Sequence, residues 1–226
     1  FDEGRTFALD SAVQAALDAA AAGADWVDIG GVKFAPGPEL SASDEIDRVL
    51  PVVQAVAEHS DVVISVDTFR HEVAEAAISA GASVINDTTG LRDPDMARVV
   101  AASDATLVIT HSLAEPRKPY PHPHYDDVVG EVVDFLRRQV DAAIALGVPA
   151  ERIVIDPGHD LNKCTRHTLE VTRRFAEIAA LGLPALAAVS NKDFIGESLG
   201  RAARISCRGD DLCTRRCADR SHARRA

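Results

Sequence analysis

The sequence predicts an α/β fold, an incomplete (β/α)8 barrel, and three observations carry that expectation. Six short apolar runs alternate with helical patterns through the first 200 residues. The runs are almost continuously apolar, as the strands of a parallel sheet covered on both faces must be. Polar groups gather at the C-terminal ends of the runs, where barrels of this kind carry their chemistry. An open doubly wound sheet competes, but no Gly-x-Gly-x-x-Gly follows any strand, so its dinucleotide-binding form has little support.

Taken in order, DSAVQAALDAAAAGA (10–24) is apolar at helical spacing, with Asp10 or Ser11 placed to cap it. DWVDIGG (25–31) reads as a short buried strand ending at Gly-Gly. SASDEIDRVLPVVQAVAEHS (41–60) is helical, with Ser43 as a cap and acidic residues in the first turn. VVISVDT (62–68) is a strand and RHEVAEAAISAG (70–81) a helix stopped by Gly81. ASVINDTTG (82–90) is a strand with a polar end, and DPDMARVVAAS (93–103) a helix opened by Asp-Pro. ATLVITH (105–111) is a strand. A His/Pro-rich loop (112–125) leads into a long helix (126–147). RIVIDPGHD (152–160) is a strand, TRHTLEVTRRFAEIAALG (165–182) a helix and PALAAVSNK (184–192) the last strand. The six strand cores lie at 25–30, 62–67, 83–87, 106–110, 152–156 and 184–190. They are expected to be strands two to seven of the barrel, with the first and eighth missing. Two open sheet edges would make such a chain aggregation-prone alone.

Charge excludes some functions. The net charge is −11, and it is uneven. Residues 201–226 carry eight Arg and three Asp, which leaves 16 basic against 32 acidic groups in the first 200. A body that acidic repels nucleic acid and anionic membranes but can hold a small anion at a focused site. No run approaches the ~20 apolar residues of a membrane span, and FDEGRTF is no secretory leader. The expectation is a cytoplasmic protein.

Asp28, Asp67, Asn86 with Asp87, His111, Asp156, and Ser190 with Lys192 sit at successive strand ends. Any one of them could cap a helix or satisfy a turn, and Asp67 could cap the helix near Arg70. Six strand ends in a row point instead to one site. His111, His122 and His124 suggest a metal, but no carboxylate or Cys stands at ligand spacing, so no metal ligand is assigned.

SVDTFRHEVAEAAISAGASVINDTTG (65–90), IDPGHDLNK (155–163) and SNKDFIGESLG (190–200) together resemble the dihydropteroate synthase family, a TIM barrel. The likeness runs from Phe1 to about Gly200. It implies condensation of 6-hydroxymethyl-dihydropterin pyrophosphate with p-aminobenzoate, releasing pyrophosphate with Mg2+ assisting, and a homodimer. Asp67, Asn86 and Asp156 match the positions that read the pterin. Lys192 matches a lysine lining the pterin and aminobenzoate pockets, and Ser190 a serine near the aminobenzoate carboxylate. A pterin's 2-amino-4-oxo edge suits a buried carboxylate and an amide, which can read it by paired hydrogen bonds. Carboxylates beside the ring also stabilise positive charge as pyrophosphate leaves. On this resemblance Asp67, Asp156 and Lys192 are the catalytic candidates.

The departures are specific. GGVKFAPG (30–37) stands where the family has Gly-Gly-Glu-Ser-Thr-Arg-Pro-Gly, so Phe34 and Ala35 replace the Thr and Arg. Lys33 supplies a point charge and not a planar fork. SNKD places Asn191 for an Arg and Asp193 for a Ser, and DLNK (160–163) replaces Gly-Phe-Gly-Lys. Thr110 stands where a Met commonly flanks the pterin. Losing one charge-assisted contact to a diphosphate costs roughly 1.5–3 kcal/mol. The set is similar to a divergent second paralogue of actinobacteria. Two functions follow: a synthase, weak or inactive in this chain, or a catalytically inactive paralogue acting as a pterin-binding or regulatory partner. A methyltetrahydrofolate-dependent methyltransferase domain is a third reading, without an accompanying corrinoid module.

Residues 201–226 form a separate segment. Cys207, Cys213, Cys217 and His222 could make a zinc knuckle, yet no packing residues surround them. The arginines could make a nucleic-acid arm, yet no aromatic is present to stack. A disordered tail is the plainer reading. The Arg, Ala, Cys, Ser and Gly content is that of GC-rich DNA read out of frame, so the expectation is a non-homologous, disordered tail.

Overall fold

The computed structural model describes residues 8–120, 123–190 and 192–199. The expectations for 201–226, His122 and Asn191 lie outside these residues. Strands β1 (Trp26–Gly30), β2 (Val63–Asp67), β3 (Val84–Asp87), β4 (Thr106–Thr110) and β5 (Ile153–Asp156) form one parallel sheet in chain order. Helices α1 (Leu9–Ala21), α2 (Ala42–His59), α3 (His71–Ser79), α4 (Pro94–Ala101), α5 (Val128–Ala145), α6 (Thr165–Arg173), α7 (Phe175–Ala179) and α8 (Asp193–Ser198) surround it. A doubly wound sheet reverses its strand order at a switch point. Here the order runs on without reversal, which is the arc of a barrel.

Alternation within the strands separates two faces. Val27, Ile64, Val66, Ile85, Leu107, Ile109, Ile153 and Ile155 pack outward against the helices and are buried. Val49, Val53 and Val56 of α2, Met96 and Val100 of α4, and Val129, Val132 and Leu136 of α5 receive them. Each such side chain contributes about 1.5–3 kcal/mol when fully buried. The other face carries Asp28, Ser65, Asp67, Asn86, Val108, Thr110 and Asp156, aligned by the register Asp28–Ser65, Asp67–Asn86, Asn86–Val108 and Thr110–Asp156.

Several boundaries differ from expectation. The sixth strand is reduced to a single parallel bridge, Ile155 with Ala185, with backbone bonds from Ile155 N to Pro184 O and from Leu186 N to Ile155 O. Ala185, Ala187 and Ala188 give this segment weak strand propensity, and among the described residues it pairs on one side only. The helix expected over 165–182 breaks at Arg174 into α6 and α7. Ala8 precedes α1 without a side-chain cap, so neither Asp10 nor Ser11 serves. Ser41, not Ser43, caps α2, accepting from Asp44 N at 3.1 Å. Asp93 and Pro94 open α4 as expected. No described helix is long and apolar enough to cross a membrane.

Candidate functional site

Asp28 organises the β1–β3 side of the barrel mouth. Its Oδ1 accepts from Ser65 Oγ at 2.6 Å, and its Oδ2 accepts from Asn86 Nδ2 at 3.1 Å. That fixes the Asn86 amide and leaves its buried Oδ1 without a partner. Asp67 stands beside Gly30 and Asn86 in register and accepts from Thr88 Oγ1 at 3.3 Å. Asp67 is not a helix cap. Arg70 precedes α3, and its N–H goes to Thr68 Oγ1 at 3.2 Å. Burial, and then the neighbouring Asp28 carboxylate, push the Asp67 carboxyl up to about 8. At neutral pH it is held protonated, able both to donate and to accept.

That shift has a testable sign. Asp67 binds a proton in the folded chain between its ordinary range near 4 and about 8, while the unfolded chain does not. Its contribution to stability therefore falls as pH rises across that window, by up to about 1.4 kcal/mol per pH unit. Asp67→Asn is expected to gain on the wild type in urea midpoint steadily from pH 5 to pH 8. A constant gap would place the carboxyl at its ordinary value.

Asp87, the neighbour of Asn86, faces the other way. It accepts from Thr89 N, Thr89 Oγ1 and Leu91 N, and it shapes the loop rather than the mouth.

On the β4–β5 side, Asp156 is buried and accepts from Gly158 N at 2.7 Å. Burial raises its carboxyl, and the Gly158 N–H, Lys192 and Lys163 oppose that rise. Thr110 lies beside it in register, buried, with Oγ1 unpartnered. His111 follows, buried, and Lys163 Nζ donates to its Nδ1 at 2.8 Å. Lys163 also donates to Gly158 O at 3.0 Å and Leu161 O at 3.1 Å, so all three ammonium protons are taken. Gly158 has φ +68, and an added Cβ would lie 2.2 Å from His111 O, so only glycine lets the two segments approach.

Lys192 precedes α8, within electrostatic reach of Asp156. Ser190 sits in an exposed turn just before it. The structure thus brings Asp67 and Asn86 together around Asp28, sets Asp156 on the same face and Lys192 near Asp156, and leaves Ser190 exposed in its turn. Asp28 was readable as a strand-end residue but not as the hub. Its signal was parity: it stands two residues before Gly30, on the face that Gly30 shares with Asp67.

Outside the mouth, His71, Asp93 and Asp95 group at the starts of α3 and α4, with His71 Nδ1 2.7 Å from Asp93 Oδ2. Arg117 donates to the backbone carbonyls of Lys33, Ala35 and Pro38 and so pins the GGVKFAPG loop from the side. Beside it lies a cleft of about 340 Å³ where Arg70, Arg92, Arg117 and Lys118 face Glu39, Asp93 and Glu115.

A parallel barrel arc whose mouth sets carboxylates and an amide against lysines defines a pterin-site barrel. The chain matches the pterin binding enzyme family over residues 1–222. It belongs to that family and, within it, to the dihydropteroate synthases. Inactive dihydropteroate synthase 2 of Mycobacterium leprae is 42% identical over 206 residues, 88% of this chain and 71% of the relative. The protein of the same name from Mycobacterium tuberculosis is 43% identical over 206 residues, 88% of this chain and 65% of the relative. Among solved structures, Xanthomonas albilineans dihydropteroate synthase with 4-aminobenzoic acid superposes with a TM-score of 0.80 at 38% identity, covering 85% of this chain and 69% of that one. The chain therefore spans about two thirds of the length of these proteins.

Proposed function

We propose that this chain binds a pterin in the barrel mouth and has little or no dihydropteroate synthase activity. The observation that carries the reading is the Asn86 amide. Asp28 fixes it, its Oδ1 is buried and unbonded, and the Asp67 and Asp156 carboxyls share its face. An acceptor left open between carboxyls suits the N–H-rich edge of a pterin. Asp67, Asn86 and Asp156 then read the ring, and Lys192 meets the end that carries the diphosphate. A structure of the Xanthomonas albilineans enzyme in complex with 7,8-dihydropteroate supports the ligand class.

The weak side is the anion. Phe34 and Ala35 occupy the loop positions where the family's Thr and Arg stand, and Lys33 is exposed. Arg117 spends its donors on loop carbonyls. Ser190 would meet the aminobenzoate carboxylate only from its exposed turn. Mg2+ does not fit the described mouth as a resident ion. Asp28 is engaged by Ser65 and Asn86, and Asp67 is held protonated, so no set of ionised oxygens converges there. The ion would enter on the diphosphate of the substrate. A homodimer in the cytoplasm completes the reading, and light scattering tests the first half of it.

Calorimetry with 6-hydroxymethyl-dihydropterin pyrophosphate is expected to show binding that Asp156→Ala and Asn86→Ala abolish. Mixing protein, this ligand, p-aminobenzoate and Mg2+ is expected to release no pyrophosphate above background. Release that disappears in Asp67→Ala and Lys192→Ala would restore the synthase reading. An absence of heat at high concentration would reject pterin binding.

A further inference from the structure

The loop between β5 and α6 carries DLNK (160–163) where the family has Gly-Phe-Gly-Lys. Asp160 and Asn162 both have left-handed backbone, with φ +64 and φ +50. Asp and Asn tolerate that region better than other side-chain-bearing residues, so this loop takes at both positions a backbone that favours glycine. What changes is that each position gains an acceptor, and each acceptor is used. Asn162 Oδ1 accepts from Ser112 Oγ, Leu113 N and Ala114 N, each at 2.9 Å. Asp160 Oδ1 accepts from Thr168 Oγ1 at 3.1 Å, and its Oδ2 from Phe194 N at 3.3 Å.

Phe194 is the second residue of α8, which spans only Asp193–Ser198 and has no side-chain cap of its own. A helix that short has little intrinsic stability and leaves its first N–H groups without partners. Asp160 supplies the missing acceptor from a different segment. His159 adds a second contact. Its buried ring lies 25° from parallel to Phe194 with centroids 6.0 Å apart, and 26° from parallel to Phe175 at 6.3 Å. Neither ring nitrogen has a partner, so this imidazole serves here as a packing surface between two phenyl rings.

We infer that Asp160 and His159 are positioning residues for Lys192: they clamp Phe194, fix the start of α8, and hold the lysine beside Asp156 before any ligand arrives. Lys192 immediately precedes the helix that they clamp. A glycine at 160 would remove the bond to Phe194 N and leave α8 tied by the His159–Phe194 contact and by the hydrogen bond from Thr165 Oγ1 to Glu197. The bond from Phe194 N to Asp160 joins the loop to the helix that follows Lys192, and so sets that cation in advance. The inference rests on the pterin reading for what Lys192 does, though not for the clamp itself.

Two measurements on the full chain test it. The first is hydrogen exchange of the α8 amides without ligand. The second is calorimetric affinity for 6-hydroxymethyl-dihydropterin pyrophosphate and for 6-hydroxymethylpterin. Asp160→Gly is expected to speed exchange at Phe194 and the rest of α8 by about tenfold or more, the loss of one charge-assisted bond. It should weaken the diphosphate ligand by a similar factor and leave the unphosphorylated pterin within about twofold. Asp160→Asn, which keeps one neutral acceptor for Phe194 N, should lose less than Asp160→Gly in both measurements, and His159→Phe, which keeps an aromatic ring between Phe175 and Phe194, should behave as wild type. Lys192→Met should weaken the diphosphate ligand as Asp160→Gly does, and the double variant should be no weaker than Lys192→Met alone.

Unchanged exchange in Asp160→Gly, or additive losses in the double variant, would overturn the inference. If the wild type binds neither ligand the pterin reading fails. The clamp then stands if Asp160→Gly speeds exchange and falls if it does not.

Discussion

Glu45→Ala is expected to lower the unfolding free energy by about 3–5 kcal/mol in urea titrations. Glu45 lies in the first turn of α2 and is fully buried. Its Oε1 accepts from Thr68 Oγ1 at 2.8 Å, and its Oε2 pairs with the Arg70 guanidinium. Arg70 also donates to Leu40 O at 2.5 Å and stacks over Phe69 with 4.7 Å to the ring centroid. Removing the carboxylate leaves a partly buried guanidinium and a buried hydroxyl without their acceptor, and that residue of unpaired polarity dominates the cost. Glu45→Gln keeps an acceptor for Thr68 and should lose less than half as much. Glu45 also fixes the backbone that leaves the mouth. Thr68 directly follows Asp67 and Arg70 lies two residues further on, and an added Cβ at Gly31 would lie 3.1 Å from Glu45 Cγ. The alanine variant should therefore lose pterin heat along with stability. A loss under 1 kcal/mol would show the pair to be dispensable.

The second large effect is a pH profile. Burial pushes the Lys163 ammonium down to about 7, against the partial support of Asp156 and Asp160. Between about 7 and its ordinary value near 10.5, the unfolded chain holds this proton and the folded chain does not. Stability contributed by Lys163 therefore rises with pH through that window, by up to about 1.4 kcal/mol per unit. The opposite edge belongs to His111. Burial, and then Lys163, hold its imidazole down to about 2, so the unfolded chain takes its proton first as pH falls below about 6.5. Acid then costs stability from about 6.5 to about 2. Comparing Lys163→Met with wild type at pH 7, 8, 9 and 10 isolates the lysine. The difference between the two urea midpoints should shift in favour of wild type with each unit of pH from 7 to 10. A parallel pair of profiles would mean that Lys163 keeps an ordinary affinity for its proton.

The parallel architecture was legible because strand and helix periods alternate cleanly from Asp25 to Asp156. The outward-facing Val, Ile and Leu fixed each strand without help from distant residues. The segment 184–190 misled, since an apolar run rich in alanine reads as a strand whether or not a neighbour pairs with it. Helix caps misled by two or three positions at α1 and by two at α2, because the residue that takes the extended backbone before a helix, Ala8 or Ser41, is set by dihedrals that no sequence displays.

In the site, Asp67, Asn86 and Asp156 were visible as strand ends. Their mutual geometry was not, because it depends on register across three strands. Asp28 shows the limit most clearly: its residue type was noticed, and its role as the shared acceptor of Ser65 and Asn86 emerges only when residues 37 and 58 positions away are folded against it. DLNK was legible only as a departure from Gly-Phe-Gly-Lys. The backbone at Asp160 and Asn162 lies in the region that favours glycine, and the side chains are put to use.

The two halves of the mouth carry different ionisable groups. Asp28 and Asp67 stand over β1 and β2, while Lys163 and Lys192 act on Asp156 at the far end of the sheet. That separation is a vector as well as an inventory. A flat molecule with a donor-rich edge and an anionic arm has one low-energy way round, its edge toward β1–β3 and its arm toward α8. Turning it end for end would set anion against carboxylate and donors against ammonium. On the pterin reading proposed above, the mouth selects polarity along the ligand's long axis, and a symmetric heterocycle of the same size gains nothing from it.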